Sequence, residues 1–184
     1  WVLQLATGAK SFADNPILGS RTLSRLGLHA SRLKAAHALA KWRRRRLAGR
    51  LPRRLREEFE RNGFVVLRDF LPAEEFTTLR SAMLHTALST RAHRQGDTVT
   101  RRVSIGLPIL RRFPQLRAIL EDPIWTGLMA YVASSRTKPL YYIQTILGGI
   151  ADGPPDPQLQ LHSDTFHPSL KAWLLLTDVP EDGR

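Results

Sequence analysis

Apolar positions recur along this chain with two periods, one near 3.6 residues and one of two, and the switches between them predict its elements. Within "SRLKAAHALAKWRRRRLAGRLPRRLREEF", Leu33, Ala36, His37, Ala40 and Leu47 recur at roughly helical spacing. Pro52 suits the first turn of a second helix and Gly63 sits where that helix would end, so two helices are expected here. "GFVVLRDF" then has the β-branched and aromatic content of a strand. "PAEEFTTLRSAMLHTAL" brings Phe76, Leu79, Met83, Leu84, Ala87 and Leu88 onto one helical face, with Glu74 and Glu75 in its first turn. "GDTVTRRVSIGL" alternates like a strand, and "FPQLRAILEDPIWTGLMAYVA" is helical with a break at Pro123, which predicts two short helices. "PLYYIQTILGG", "PQLQLHSD" and "LKAWLLLTDV" read as strands, the first two separated by the Gly- and Pro-rich loop "GIADGPPDP". The pattern predicts an α+β fold.

Charge divides the chain differently. The net charge is +12, yet residues 1 to 56 hold 14 Lys or Arg against the single acid Asp14, and the remainder is close to neutral. A boundary near residue 56 between a basic helical segment, 1–56, and a body, 57–184, is expected. The basic segment suits an electrostatic role toward nucleic acid, anionic lipid or a CoA phosphate, or is a solvated helical surface. No zinc finger, RNA-binding aromatic signature or dinucleotide glycine pattern accompanies it, so nucleic acid is not an expected partner.

Composition narrows the chemistry. The chain has 184 residues, 42% of them hydrophobic, enough for a modest core. No stretch reaches the roughly 18 apolar residues of a membrane span, and no transmembrane segment is expected. Without cysteine there are no disulfides or thiolate ligands, so a transition metal must be held by His and carboxylate, and a reducing, cytoplasmic setting fits. The chain lacks an initiator Met and stops just after a strand pattern, and is expected to be part of a longer protein.

The sharpest chemistry lies in "LHSDTFHPSLKAW". On a strand, side chains at i and i+2 point to one face, so His162 and Asp164 would present an imidazole and a carboxylate side by side while Ser163 faces away. Such a pair chelates a cation. With a third ligand it completes the two-histidine, one-carboxylate arrangement of non-haem Fe(II) oxygenases, which leaves positions open for a cosubstrate and oxygen.

"FERNGFVVLRDFLPAEEFTTLR", followed roughly ninety residues later by "LHSDTFHPSLKAWLLLTDVPEDG", resembles the phytanoyl-CoA dioxygenase family of Fe(II)- and 2-oxoglutarate-dependent oxygenases across about residues 57 to 183. The resemblance implies a double-stranded β-helix, or jelly roll, flanked by helices. It implies Fe(II) held by His162 and Asp164, 2-oxoglutarate as cosubstrate, and hydroxylation of a small organic or acyl substrate. Trp173 matches an aromatic position lining the cosubstrate pocket, although a tryptophan beside Leu174, Leu175 and Leu176 also suits a buried strand. Gln144 lies on the strand where relatives place polar groups facing the pocket; it also suits a buried side chain bonding a loop. The family's second histidine ligand and the arginine that pairs with 2-oxoglutarate lie further downstream than Arg184, so the chain by itself is expected to be an inactive N-terminal portion of the domain.

Other residues remain open. His167 would point away from the pair unless the chain turns at Phe166, and is expected to be a pocket-edge or hydrogen-bonding residue. Alternation puts Arg101 and Arg102 on opposite faces of a strand, where one serves an anionic ligand or both lie in solvent. His85 and His93 are expected to be surface or packing residues. Two rivals to the oxygenase are a cupin-like protein that binds metal without consuming 2-oxoglutarate, and a basic nucleic-acid or membrane-binding module.

Overall fold

The computed structural model describes residues 3, 9, 12, 14–162, 164, 165 and 167–178. The chain divides into two compact units. One comprises residues 1–63, 127–137 and 163–171, and the other residues 64–126, 138–162 and 172–184.

The first unit is built on helices. A short α1 (Arg21–Arg25) is capped by Ser20, whose hydroxyl accepts from the Leu23 amide. Then come α2 (Leu28–Leu47), a tight turn over Ala48–Arg50, and α3 (Arg53–Asn62), which Gly63 ends in the left-handed conformation at φ 79°. A chiral residue resists that geometry, which is why a glycine stands at this helix end. On α2, Ala40 and Leu47 are buried, Ala36 and Arg44 are half-buried, and Leu33 and His37 face outward. Leu51, Leu55, Leu128, Met129 and Tyr131 fill this unit's core. Gly127 packs so closely that a Cβ there would stand 2.5 Å from the Arg50 carbonyl oxygen.

Arg44 organises the same region. It donates from Nε to the Tyr131 carbonyl oxygen at 3.2 Å and from Nη2 to that of Val132 at 2.9 Å, and its guanidinium lies 4.8 Å from the centre of the Phe59 ring. A helix end leaves carbonyls without intrahelical partners, and a cation there satisfies them. Burial lowers the Arg44 pKa, opposed by the pull of Tyr131 and Glu60. Tyr131 donates its hydroxyl to Glu60 at 3.0 Å.

The second unit joins helices to a sheet. Helix α4 (Ala73–Leu84) carries Glu74 and Glu75 in its first turn, where the helix dipole favours acids, and buries Leu79 and Met83. After it, β1 (Arg91–Gln95), β2 (Thr98–Ser104) and, further on, β3 (Tyr142–Leu147) form an antiparallel sheet in the order β1-β2-β3. Between β2 and β3 lie α5 (Leu107–Arg112), α6 (Pro114–Glu121) and α7 (Pro123–Val132), the last entered at the proline that breaks the helical pattern. The core of this unit is Leu79, Met83, Phe113, Leu116 and Ile119. Phe70, Leu71, Ile143, Leu174 and Leu176 pack against it.

Three of the expected strands have no ladder partner among the described residues. "GFVVLRDF" runs as irregular chain with Phe64 and Val66 more than half exposed, and Asp69 turns at φ 51°. A strand exists only where another backbone accepts its hydrogen bonds, and β propensity cannot supply one. In "PQLQLHSD", Asp156 accepts the Gln158 amide at 2.8 Å and Pro157 opens a tight helical turn over Pro157–Leu159. In "LKAWLLLTDV", described as far as Asp178, Leu174 and Leu176 are half-buried and Trp173 and Leu175 exposed, and the chain bends at Leu176 and Thr177. Conversely, β1 forms in "RAHRQ", whose polar content conceals a strand, and His93 lies on it. The structure is α+β, with helices and a three-stranded antiparallel sheet.

Candidate functional site

His162 ends the second unit's 138–162 stretch, and Asp164 belongs to the first unit. The imidazole of His162 is exposed and its Nδ1 lies 2.7 Å from the Gln160 carbonyl oxygen. A carbonyl only accepts, so Nδ1 is the donor in this contact. Metal-ligating histidines are commonly held this way, with one ring nitrogen on a backbone carbonyl and the other on the ion.

Asp164 meets Lys171, whose Nζ stands 2.6 Å from Oδ2. The carboxylate thus already holds a cation, and a metal ion at Oδ2 would compete with that ammonium. Nothing in the spacing of "LHSDTFHPSLK" announces this pairing, because it depends on how the chain turns near Pro168. His167 places Nδ1 3.2 Å from the Pro168 carbonyl oxygen.

Donor types and donor number answer differently to ferrous iron. An imidazole nitrogen and a carboxylate oxygen suit it. Among the described residues, however, no group of three or more His, Cys, Asp or Glu side chains is gathered so as to hold a metal ion. Among the described residues His162 and Asp164 are therefore not gathered with a third such side chain.

Gln144 sits on β3 opposite Arg102 of β2, and Arg102 donates from Nε to Gln144 Oε1 at 2.6 Å. Gln144 is exposed, so it is not a buried side chain bonding a loop. Pairing in register puts Arg91, Arg102 and Gln144 in one row on the same face of the sheet, with Tyr142 and Ile146 on the neighbouring rows. Arg101 faces the other way, and both arginines are solvent-exposed on the central strand rather than at a sheet edge. Trp173 is 64% exposed, which excludes it from the core. A cavity of about 200 Å³ opens in the second unit between Phe70, Leu71 and Ile119, with Glu75, Gln115 and Asp122 at its polar side. None of His162, Asp164, Gln144 and Trp173 lines it. His85 ends α4 with Nδ1 2.9 Å from the Ser81 carbonyl oxygen, a capping role.

Among the described residues no helix is long and apolar enough to cross a membrane. Comparison with family models, with curated proteins and with solved structures finds no match for this chain.

Proposed function

We propose that this chain contributes two ligands, His162 and Asp164, to a ferrous centre of an oxygenase that consumes 2-oxoglutarate, of the phytanoyl-CoA dioxygenase type. On this reading the three-stranded sheet is part of a double-stranded β-helix. The observation that carries the reading is that the two sequence blocks bearing the resemblance share one core. Phe70, Leu71 and Leu79 of the first block and Leu174 and Leu176 of the second pack in the same cluster, and Arg80 donates to the Leu176 carbonyl oxygen at 2.8 Å. Stretches of two blocks some ninety residues apart that meet in one core are what a common domain requires.

The chain's own residues have defined parts. Gln160 orients the His162 ring and sets its tautomer through the Nδ1 bond. Lys171 pairs with Asp164, and on this reading a metal ion takes that carboxylate over from the ammonium. Arg102 and Gln144 offer a guanidinium and an amide on one sheet face, a pairing suited to a carboxylate group. Iron and 2-oxoglutarate, when bound, would supply oxygen activation and the oxidising equivalents for hydroxylating a C–H bond.

The test is oxygen uptake coupled to succinate release from 2-oxoglutarate with Fe(II), in the protein as it occurs in the cell. The proposal expects both in stoichiometric proportion, and both lost in His162→Ala and in Asp164→Ala. Oxygen uptake without succinate, or turnover undiminished in either variant, overturns it.

A further inference from the structure

The basic N-terminal segment has no part in that chemistry. Residues 15–56 contain 13 Lys or Arg and not one Asp or Glu. Two of these cations are spent inside the first unit: Arg44 on the end of α7, and Arg32, which lies 4.3 Å from the Phe12 ring centre and bonds the Ala9 carbonyl oxygen. Others stand outward. Lys34, Lys41 and Arg45 are exposed and fall, at about 100° per residue, within a narrow stripe opposite the Ala36, Ala40 and Leu47 face of α2. The stripe runs about 16 Å along the helix axis. Among the described residues none of the three forms an ion pair.

Helix physics explains part of this arrangement. Arg44, Arg45 and Arg46 lie in the last turn, where the macrodipole favours cations. Lys34 and Lys41 lie earlier, and Lys41 and Arg45 repel each other four residues apart with no acid on the helix to offset them. An external anion removes that repulsion.

We infer that the outward face of α2 binds the phosphodiester backbone of a nucleic acid, without sequence readout. The stripe's cations suit phosphate oxygens, Lys34 and Lys41 as point charges and Arg45 as a planar fork. At the flank of the stripe the Arg46 guanidinium stacks 3.8 Å from the centre of the Trp42 ring, and Trp42 is 48% exposed. An aromatic and guanidinium platform beside a charged track is how single strands are held. A lipid surface fits less well, because it needs a continuous apolar stripe to insert. The exposed apolar side chains Leu33 and Leu39 point about 120° apart around the helix, and the face with buried Ala40 and Leu47 is turned into the unit's core. Missing nucleic-acid motifs argue against base recognition and leave backbone binding untouched.

The experiment is fluorescence anisotropy of labelled duplex DNA and single-stranded RNA with the full chain, between about 50 and about 200 mM salt, beside vesicles of phosphatidylcholine with and without phosphatidylserine. The comparison variant is Lys34→Gln/Lys41→Gln/Arg45→Gln, and Arg101→Gln in β2 is the control. Each phosphate contact contributes about −0.9 to the slope of log K against log salt, so the three contacts alone weaken binding roughly 40-fold over that range. The expected result is binding to at least one nucleic acid, a slope shallower by about 2.7 in the triple variant, and no change in the control. No binding at the lowest salt, an unchanged slope in the triple variant, or tighter binding to phosphatidylserine vesicles than to either nucleic acid overturns the inference. Circular dichroism matching the parent shows that the triple variant has folded.

Discussion

Arg80 donates its Nε–H to the carbonyl oxygen of Leu176 at 2.8 Å, bridging 96 positions of sequence. Its neighbour Leu79 is fully buried in the cluster against which Leu174 and Leu176 pack. Leu79→Ala should destabilise the second unit by about 2–5 kcal/mol through lost burial and the cavity left behind. Arg80→Ala should cost only about 1 kcal/mol, because the bond is exposed. Urea unfolding measures both, and hydrogen exchange in residues 172–178 should quicken in each.

Arg44 is predicted to matter more to stability than any other arginine of α2. Arg44→Ala takes the Arg44 donor from the Val132 carbonyl, leaves the Tyr131 carbonyl with the Ser134 amide at 3.0 Å, and removes the contact over Phe59, a loss of roughly 2 kcal/mol. Arg44→Lys should recover less than half of it, since an ammonium cannot span two carbonyls and face a ring as a planar guanidinium does. Thermal unfolding of the two variants against Arg43→Ala, an exposed neighbour, provides the comparison.

Alkaline pH should weaken the first unit through Tyr131. Burial raises its pKa, and the hydrogen bond to Glu60 raises it further. The folded protein therefore holds this proton more tightly than the unfolded chain does. The resulting stability is present below the ordinary tyrosine range, about pH 10, and is lost as pH climbs through the raised value. Urea midpoints measured upward from about pH 8 should fall less steeply in Tyr131→Phe than in the parent.

Gly127 offers a test in which helix propensity and packing predict opposite signs. It lies inside α7, where replacing glycine by alanine ordinarily gains about 1 kcal/mol. A Cβ there would stand 2.5 Å from the Arg50 carbonyl oxygen and 3.1 Å from Leu51 Cδ2. Gly127→Ala is expected to lower the melting temperature, and a rise would show that the backbone yields.

Much of the helical part was legible because its signals are local. Pro52 and Gly63 frame α3, Pro123 separates α6 from α7, and Leu79 with Met83 marks the buried side of α4. Strands were harder, since a strand is defined by a partner distant in sequence. β2 and β3 alternate visibly, yet "GFVVLRDF" carries the right residues and forms no ladder among the described residues, while β1 is paired despite "RAHRQ". The candidate site shows the same limit. His162 and Asp164 stand out by spacing, but the lysine on Asp164 and the arginine on Gln144 arise from tertiary approach. Trp173 suited pocket and core equally in sequence, and its exposure removes the core alternative.

Ferrous iron binding at His162 and Asp164 is what the proposed oxygenase chemistry requires first. Anaerobic Fe(II) titration by calorimetry, in the presence of 2-oxoglutarate, tests it without dependence on turnover. One ion per chain is predicted, with affinity at least tenfold weaker in His162→Ala and in Asp164→Ala, an effect expected when a ligand is removed. Iron bound with the parent affinity by both variants would contradict it.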